Sequence, residues 1–281
     1  MSRELEARAE IAKLAALLSR APGSLDYLQG AEPTDLRRLR EQATDRLYDA
    51  DRAAMQRIAA TSKLVPVPLV AKLGEGVFGA LLCARVAGLL DPPRAVEIAT
   101  RLSPAFLADV AMSLDPRRVS DVIAQMPVER IVAVARELLA RSELITMGRF
   151  VGHLSDPALL ASARLADGPA LLRIAFVLEG KERLDHLVSV LSDDQLAAML
   201  AAADAERLWP EVLDLLGHLD EGNLHRLADI TAARDEELLA RLSAAAAREG
   251  IALRPRARTP APAQSDPSRR WVKERTPGGR P

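Results

Sequence analysis

The chain has 281 residues, 49% hydrophobic and 27% charged, with a formal net charge of -1 and a single cysteine, Cys83. That length and apolar share suffice for one large or two modest cores, while one thiol excludes an intramolecular disulfide framework. Aromatics make up only 3% and alanine and leucine abound, which favours closely packed helices over strands, so the expected fold class is all-α.

The first region, residues 1–60, reads as two polar amphipathic helices at about 3–20 and 34–60, separated by a stretch punctuated by Gly23, Gly30 and Pro33. The second helix is dense in opposite charges and fits either a solvated cap or half of a coiled coil. The opening MSRELEARAEIAKLAALL mixes Glu with Arg early and carries no cleavable signal pattern. With Cys83 inside an apolar run, the expected compartment is the reducing cytoplasm.

Residues 65–90, VPVPLVAKLGEGVFGALLCARVAGLL, form the most apolar stretch, but Lys72, Glu75 and Arg85 interrupt it. A membrane-spanning helix wants about 20 apolar residues free of central charges. The segment therefore reads as a buried helix, with peripheral membrane contact as the alternative. Gly74, Gly76 and Gly79 have G-x-G-x-x-G spacing, yet Pro66 and Pro68 deny the preceding strand that a phosphate loop needs. Small residues allowing two helices to approach closely are the better account.

From Leu90 the chain restarts every twelve residues: Leu-Asp-Pro at 90–92, Leu-Ser-Pro at 102–104, Leu-Asp-Pro at 114–116 and Met-Pro at 126–127. Asp91, Ser103 and Asp115 have the chemistry of helix N-caps, and the following prolines suit the first helical position. The leucine ahead of each cap can staple to the fourth helical residue, pairing Leu102 with Leu107 and Leu114 with Val119.

The i, i+3, i+4, i+7 positions keep the same beat. They are Ala95, Ile98, Ala99, Leu102; Leu107, Val110, Ala111, Leu114; Val119, Val122, Ile123, Met126; and Ile131, Val134, Ala135, Leu138. Every one is apolar, which predicts one core-facing stripe on each helix. The beat fails at Glu143 and returns with Leu184, Leu187, Val188, Leu191, then Leu196, Met199, Leu200, Ala203. Further caps are expected at Asp156, Ser192 and Asp220. About ten short helices between Pro92 and Arg248 follow from this reading. Each is too small to offset its own ordering entropy, so residues 61–250 are expected to stack as a superhelical repeat domain.

Residues 251–281 carry +6 of charge and leave -7 on the remainder. Rich in proline and poor in apolar residues, this basic tail is expected to be disordered.

Short helices restarting at L-[DS]-P resemble the cytoplasmic N-terminal domain of MgtE-type magnesium transporters, itself similar to the right-handed superhelix of the flagellar rotor protein FliG. The likeness rests on LLDPPRAVEIATRLSPAFLADVAMSLDPRRVSDVIAQMP and, more faintly, on HLSDPALLASARL and VLSDDQLAAMLAAA, about half the chain. It implies a right-handed helical superhelix and a regulatory module. No CBS-like pattern and no set of spanning segments follows in this sequence. Arg117 and Arg118 stand where the transporter domain is rich in Glu, so no metal residues are assigned.

Chemistry is sparse. His153, His186, His218 and His225 show no metal-ligand spacing, Cys83 has no base near it in sequence, and no nucleophile elbow occurs. No catalytic residue, cofactor or metal is therefore expected. The candidate partner-binding residues are Arg94, Arg101, Arg117 and Arg118 on the repeats, with Arg269, Arg270, Trp271 and Lys273 in the tail. The resulting expectation is a non-enzymatic helical scaffold for an unknown protein partner. A regulatory module of the magnesium-transporter type and a nucleic-acid-binding helical repeat are the alternatives, the latter opposed by the acidic body.

Overall fold

The computed structural model describes residues 2–21, 23–179 and 181–255. The tail candidates Arg269, Arg270, Trp271 and Lys273 lie outside the described residues. Within them the protein is all-α, with no strand.

The N-terminal region comprises α1 (Ser2–Leu17), a 3-10 turn at Asp26–Leu28, α2 (Pro33–Asp49) and α3 (Arg52–Ser62). The expected single helix over 34–60 is thus two, broken at Ala50 and Asp51, where neither Gly nor Pro stands. α1 is no polar surface helix. Leu5, Ala7, Ala9, Glu10, Ile11, Lys13, Leu14 and Ala15 are all buried, because α1 packs against α2 on one side and against two later helices on the other.

The apolar stretch forms α4 (Val67–Leu73), a π-helical turn at Gly74–Phe78 and α5 (Gly79–Ala87). Gly79 takes φ +76°, a left-handed backbone that suits glycine, and Gly74 sits against Cys83, whose Sγ would lie 3.2 Å from an added Cβ. Gly76 and Gly79 have open space instead, so close helix approach holds only at Gly74. The expectation of a buried helix fails: only 22% of the most apolar window in Val67–Ala87 is buried.

The repeats follow as α6 (Pro92–Ala99), α7 (Pro104–Ser113), a 3-10 turn at Pro116–Arg118, α8 (Ser120–Gln125) and α9 (Val128–Ala140). Next come α10 (Leu144–Val151), α11 (Asp156–Ala163), α12 (Gly168–Phe176), a 3-10 turn at Lys181–Arg183 and α13 (Leu184–Val190). The chain closes with α14 (Asp193–Glu206), α15 (Trp209–Leu216), α16 (Glu221–Arg234) and α17 (Glu236–Arg248).

Packing runs from each helix to the next but one. α3, α5, α7, α9 and α11 form one such series, α4, α6 and α8 a second, and α10, α12, α14 and α16 a third. The breaks between these helices are short, four residues between α6 and α7, α10 and α11, and α11 and α12. The packing order fits a stack of short helices, and α1 returns to touch α10 and α15.

The caps are mixed. Ser103, Ser192 and Asp220 accept from the amides of Phe106, Gln195 and Asn223, and Ser192 completes a capping box with Gln195. Asp115 accepts from the Arg117 amide, though it starts a 3-10 turn rather than an α-helix. Asp91 occupies the N-cap of α6 but makes no cap bond, and pairs with Lys63 at 2.9 Å. Asp156 is not the cap of α11: Ser155 holds that position, and Asp156 reaches His186 Nε2 at 2.9 Å.

Candidate functional site: an apolar space and an ionic seam

All sixteen stripe positions of the four phased units line one continuous space of about 320 Å³. Twelve of them are buried and Leu107, Met126, Ile131 and Val134 are half-buried. The same wall takes in Leu184, Leu187, Val188 and Leu191, the first set of the stripe that returns after Glu143, but only Met199 of the second, whose Leu196, Leu200 and Ala203 are buried in the hydrophobic core outside it. Protein interiors normally leave few voids larger than a water molecule, so helices that all turn their apolar faces inward have not closed on one another here.

The wall presents almost no polarity. Its polar side chains beyond the Cys83 thiol are Ser62, Arg130 and Ser162. Ser62 donates to the Ala59 carbonyl at 2.7 Å, and Arg130 Nη2 donates to the carbonyls of Ala99, at 3.0 Å, and Leu102. Arg130 Nε and Ser162 Oγ are buried and have no hydrogen-bond partner.

Phe78 is the one wall residue that is exposed. Beside it in sequence Val77 is 71% exposed and Leu81 59%, and Leu64 and Leu69 add to the apolar surface of the same segment. Isolated exposed leucines are ordinary, but five exposed large apolar residues within 18 positions are a concentration of exposed apolar surface.

The arginine candidates behave differently. Arg94 donates to the carbonyls of Ser62 and Val65, tying α6 to the end of α3, while Arg101 makes only the local pair with Glu97. Arg117 and Arg118 do meet an acidic surface, and it belongs to this chain. Glu41, Asp45 and Asp49 recur every fourth residue along α2, which places them on one face. Arg117 pairs with Glu41 and Asp45, Arg118 with Asp45 and Asp49, and the Arg118 guanidinium lies 4.8 Å from the centre of the Tyr48 ring.

A second α2 stripe, Leu36, Arg40 and Thr44, is buried. There Glu10 Oε1 accepts from Lys13 Nζ at 2.8 Å, Glu10 Oε2 from Arg40 Nε at 3.0 Å, and Arg40 Nη1 approaches Glu179 at 2.9 Å. Burial pushes the Glu10 carboxyl up, but Lys13 and Arg40 together outweigh it and hold the group below its ordinary range. Arg149, held at the Leu114 carbonyl, and the Lys181–Asp214 pair extend this seam toward α10 and α15. Sequence reasoning missed it, because only the fold brings Glu10 to Arg40 and Glu179.

The histidines serve local contacts: His218 Nδ1 meets the Asp214 carbonyl, His225 Nδ1 the Arg254 carbonyl and His186 the Asp156 carboxylate. Burial lowers the His153 imidazole below its usual range, with neighbouring Glu179 acting against it. Burial also raises the Cys83 thiol. Among the described residues no group of His, Cys, Asp and Glu is placed to hold a metal ion. Comparison of the chain with family models, curated proteins and solved structures gives no match. Function is therefore argued from the geometry above.

Proposed function

We propose that this protein is a non-enzymatic helical scaffold that binds another protein through the apolar strip on α4, the π-helical turn and α5. The observation that carries the reading is the exposure of Leu64, Leu69, Val77, Phe78 and Leu81 along one segment. Exposed apolar surface is costly to leave in water and inexpensive to cover with a partner. The short helices behind it support the strip, with Arg94 tied to the end of α3 and Arg117 and Arg118 tied to α2.

The direct test is cross-linking capture with the wild-type chain and with the double variant Val77→Asp, Leu81→Asp. The scaffold reading expects a specific partner held by the wild type and lost by a variant of unchanged helicity. Capture unaffected by the two aspartates would overturn it. A second reading, peripheral membrane contact by the same strip, is favoured by the mean hydropathy of 1.6 in Val67–Ala87. Co-sedimentation with anionic vesicles, abolished by the same variant, distinguishes it.

A further inference from the structure

We propose that the 320 Å³ space inside the repeats is a binding site for one long aliphatic chain, such as the tail of a fatty acid, entered past Phe78. This goes beyond the scaffold reading and does not depend on it, since the occupant lies in the interior and meets the strip only at Phe78. Three properties of the space select this occupant.

The first is size. An apolar cavity of about 150 Å³ holds benzene, and small-molecule pockets begin near 300 Å³, so about 320 Å³ admits a ligand rather than scattered solvent.

The second is the chemistry of the wall. A peptide strand would bring an N–H and a C=O at nearly every residue, and the wall cannot meet them, since Ser62 and the Arg130 Nη2 are already engaged and Arg130 Nε and Ser162 Oγ alone are left without a partner. An ordered water needs two to four polar partners, so two such atoms cannot sustain a water-filled interior. A hydrocarbon chain asks for none.

The third is access. The wall is built from successive helices, with the stripes of α6, α7, α8 and α9 all facing the one space. Phe78, 46% exposed, is where the wall reaches solvent, and we take it as the rim. A single-chain amphiphile places its tail against the stripes and leaves its polar head in water at that rim.

The test uses the whole chain, freed of co-purified lipid, titrated with fluorescent cis-parinarate and competed with octanoate, decanoate, laurate and palmitate below their micelle concentrations. The site predicts saturable one-to-one binding displaced by palmitate. Affinity should rise about four-fold per added methylene until the tail fills the space. Ala99→Phe on α6 and Ala135→Phe on α9 each put a ring into the wall from a different helix. Either variant, if it keeps wild-type helicity, should weaken palmitate at least about ten-fold. Absence of displaceable binding, affinity independent of tail length, or a folded filled variant that binds palmitate like the wild type overturns the proposal. So does a loss caused by Leu64→Asp but by neither filling variant, which would place the amphiphile on the strip. Should both filling variants unfold, the tail-length series on the wild type alone decides.

Discussion

The Tyr48 hydroxyl bridges two backbone groups at the end of a distant helix: it accepts from the Asp115 amide at 2.9 Å and donates to the Ser113 carbonyl at 3.2 Å. Asp115 is itself buried, and its carboxylate holds Arg117 through Nε and Nη2. Tyr48 thereby fixes the turn between α7 and α8 from α2. Tyr48→Phe keeps the ring under Arg118 but leaves the Asp115 amide without its partner, and should cost about 1–3 kcal/mol in urea unfolding. A change below a few tenths of a kcal/mol would mean that water replaces the hydroxyl.

Glu10→Gln removes the anion shared by Lys13 and Arg40, both almost wholly buried. Breaking a buried pair from one side strands the remaining charge, so the expected loss is about 3–5 kcal/mol. The substitution should also flatten the acid limb of stability. The folded carboxyls of Glu10 and Asp115 both lie below their ordinary values. Their contribution is therefore complete above those values and disappears as pH falls through the lowered ones.

His153 gives a separate pH signature. Burial depresses its folded pKa below 6.5, so the unfolded chain binds the extra proton between the two values. Stability from this group is complete above about pH 6.5 and declines as pH falls below it. His153→Gln should remove that decline in thermal melts recorded from pH 7.5 downward, and an unchanged slope would assign it to other groups.

The caps separate residues of similar sequence appearance. Ser192→Ala deletes the bond that the Gln195 amide donates to the Ser192 hydroxyl, leaves the reciprocal bond from the Ser192 N–H to Gln195 Oε1, and should cost about 1 kcal/mol, whereas Asp156→Ala touches no cap and should cost about 0.5 kcal/mol or less. Chemical denaturation of the two variants under one condition provides the comparison.

The all-α class and the inward stripes were legible because periodicity is a local property: every residue from Ala95 to Leu138 predicted to face inward lies on the wall. What that face encloses was not legible, since spacing along a helix says which side turns inward but not how far the opposite sides stand apart. The break at Ala50 and Asp51 carries no Gly or Pro to announce it. Asp91 and Asp156 sit before prolines as caps do, yet Lys63 and His186 draw their carboxylates away. Arg117 and Arg118 were legible as a cluster seeking acid, but not that Glu41, Asp45 and Asp49 supply it. Polar letters at Glu10 and Lys13 signal solvent until α10 and α15 enclose them.

The contact of α1 with α10 and α15 sets an order of events during synthesis. α2 can cover the Ile11 side of α1 early through Leu36, but the side of α1 that meets α10 and α15 stays uncovered until Leu216 has been translated. Long-range closure of this kind slows folding and lengthens the interval in which a nascent chain is prone to aggregate. The middle of the molecule is thus free to assemble first, with the leading helix settling onto it afterwards like a latch.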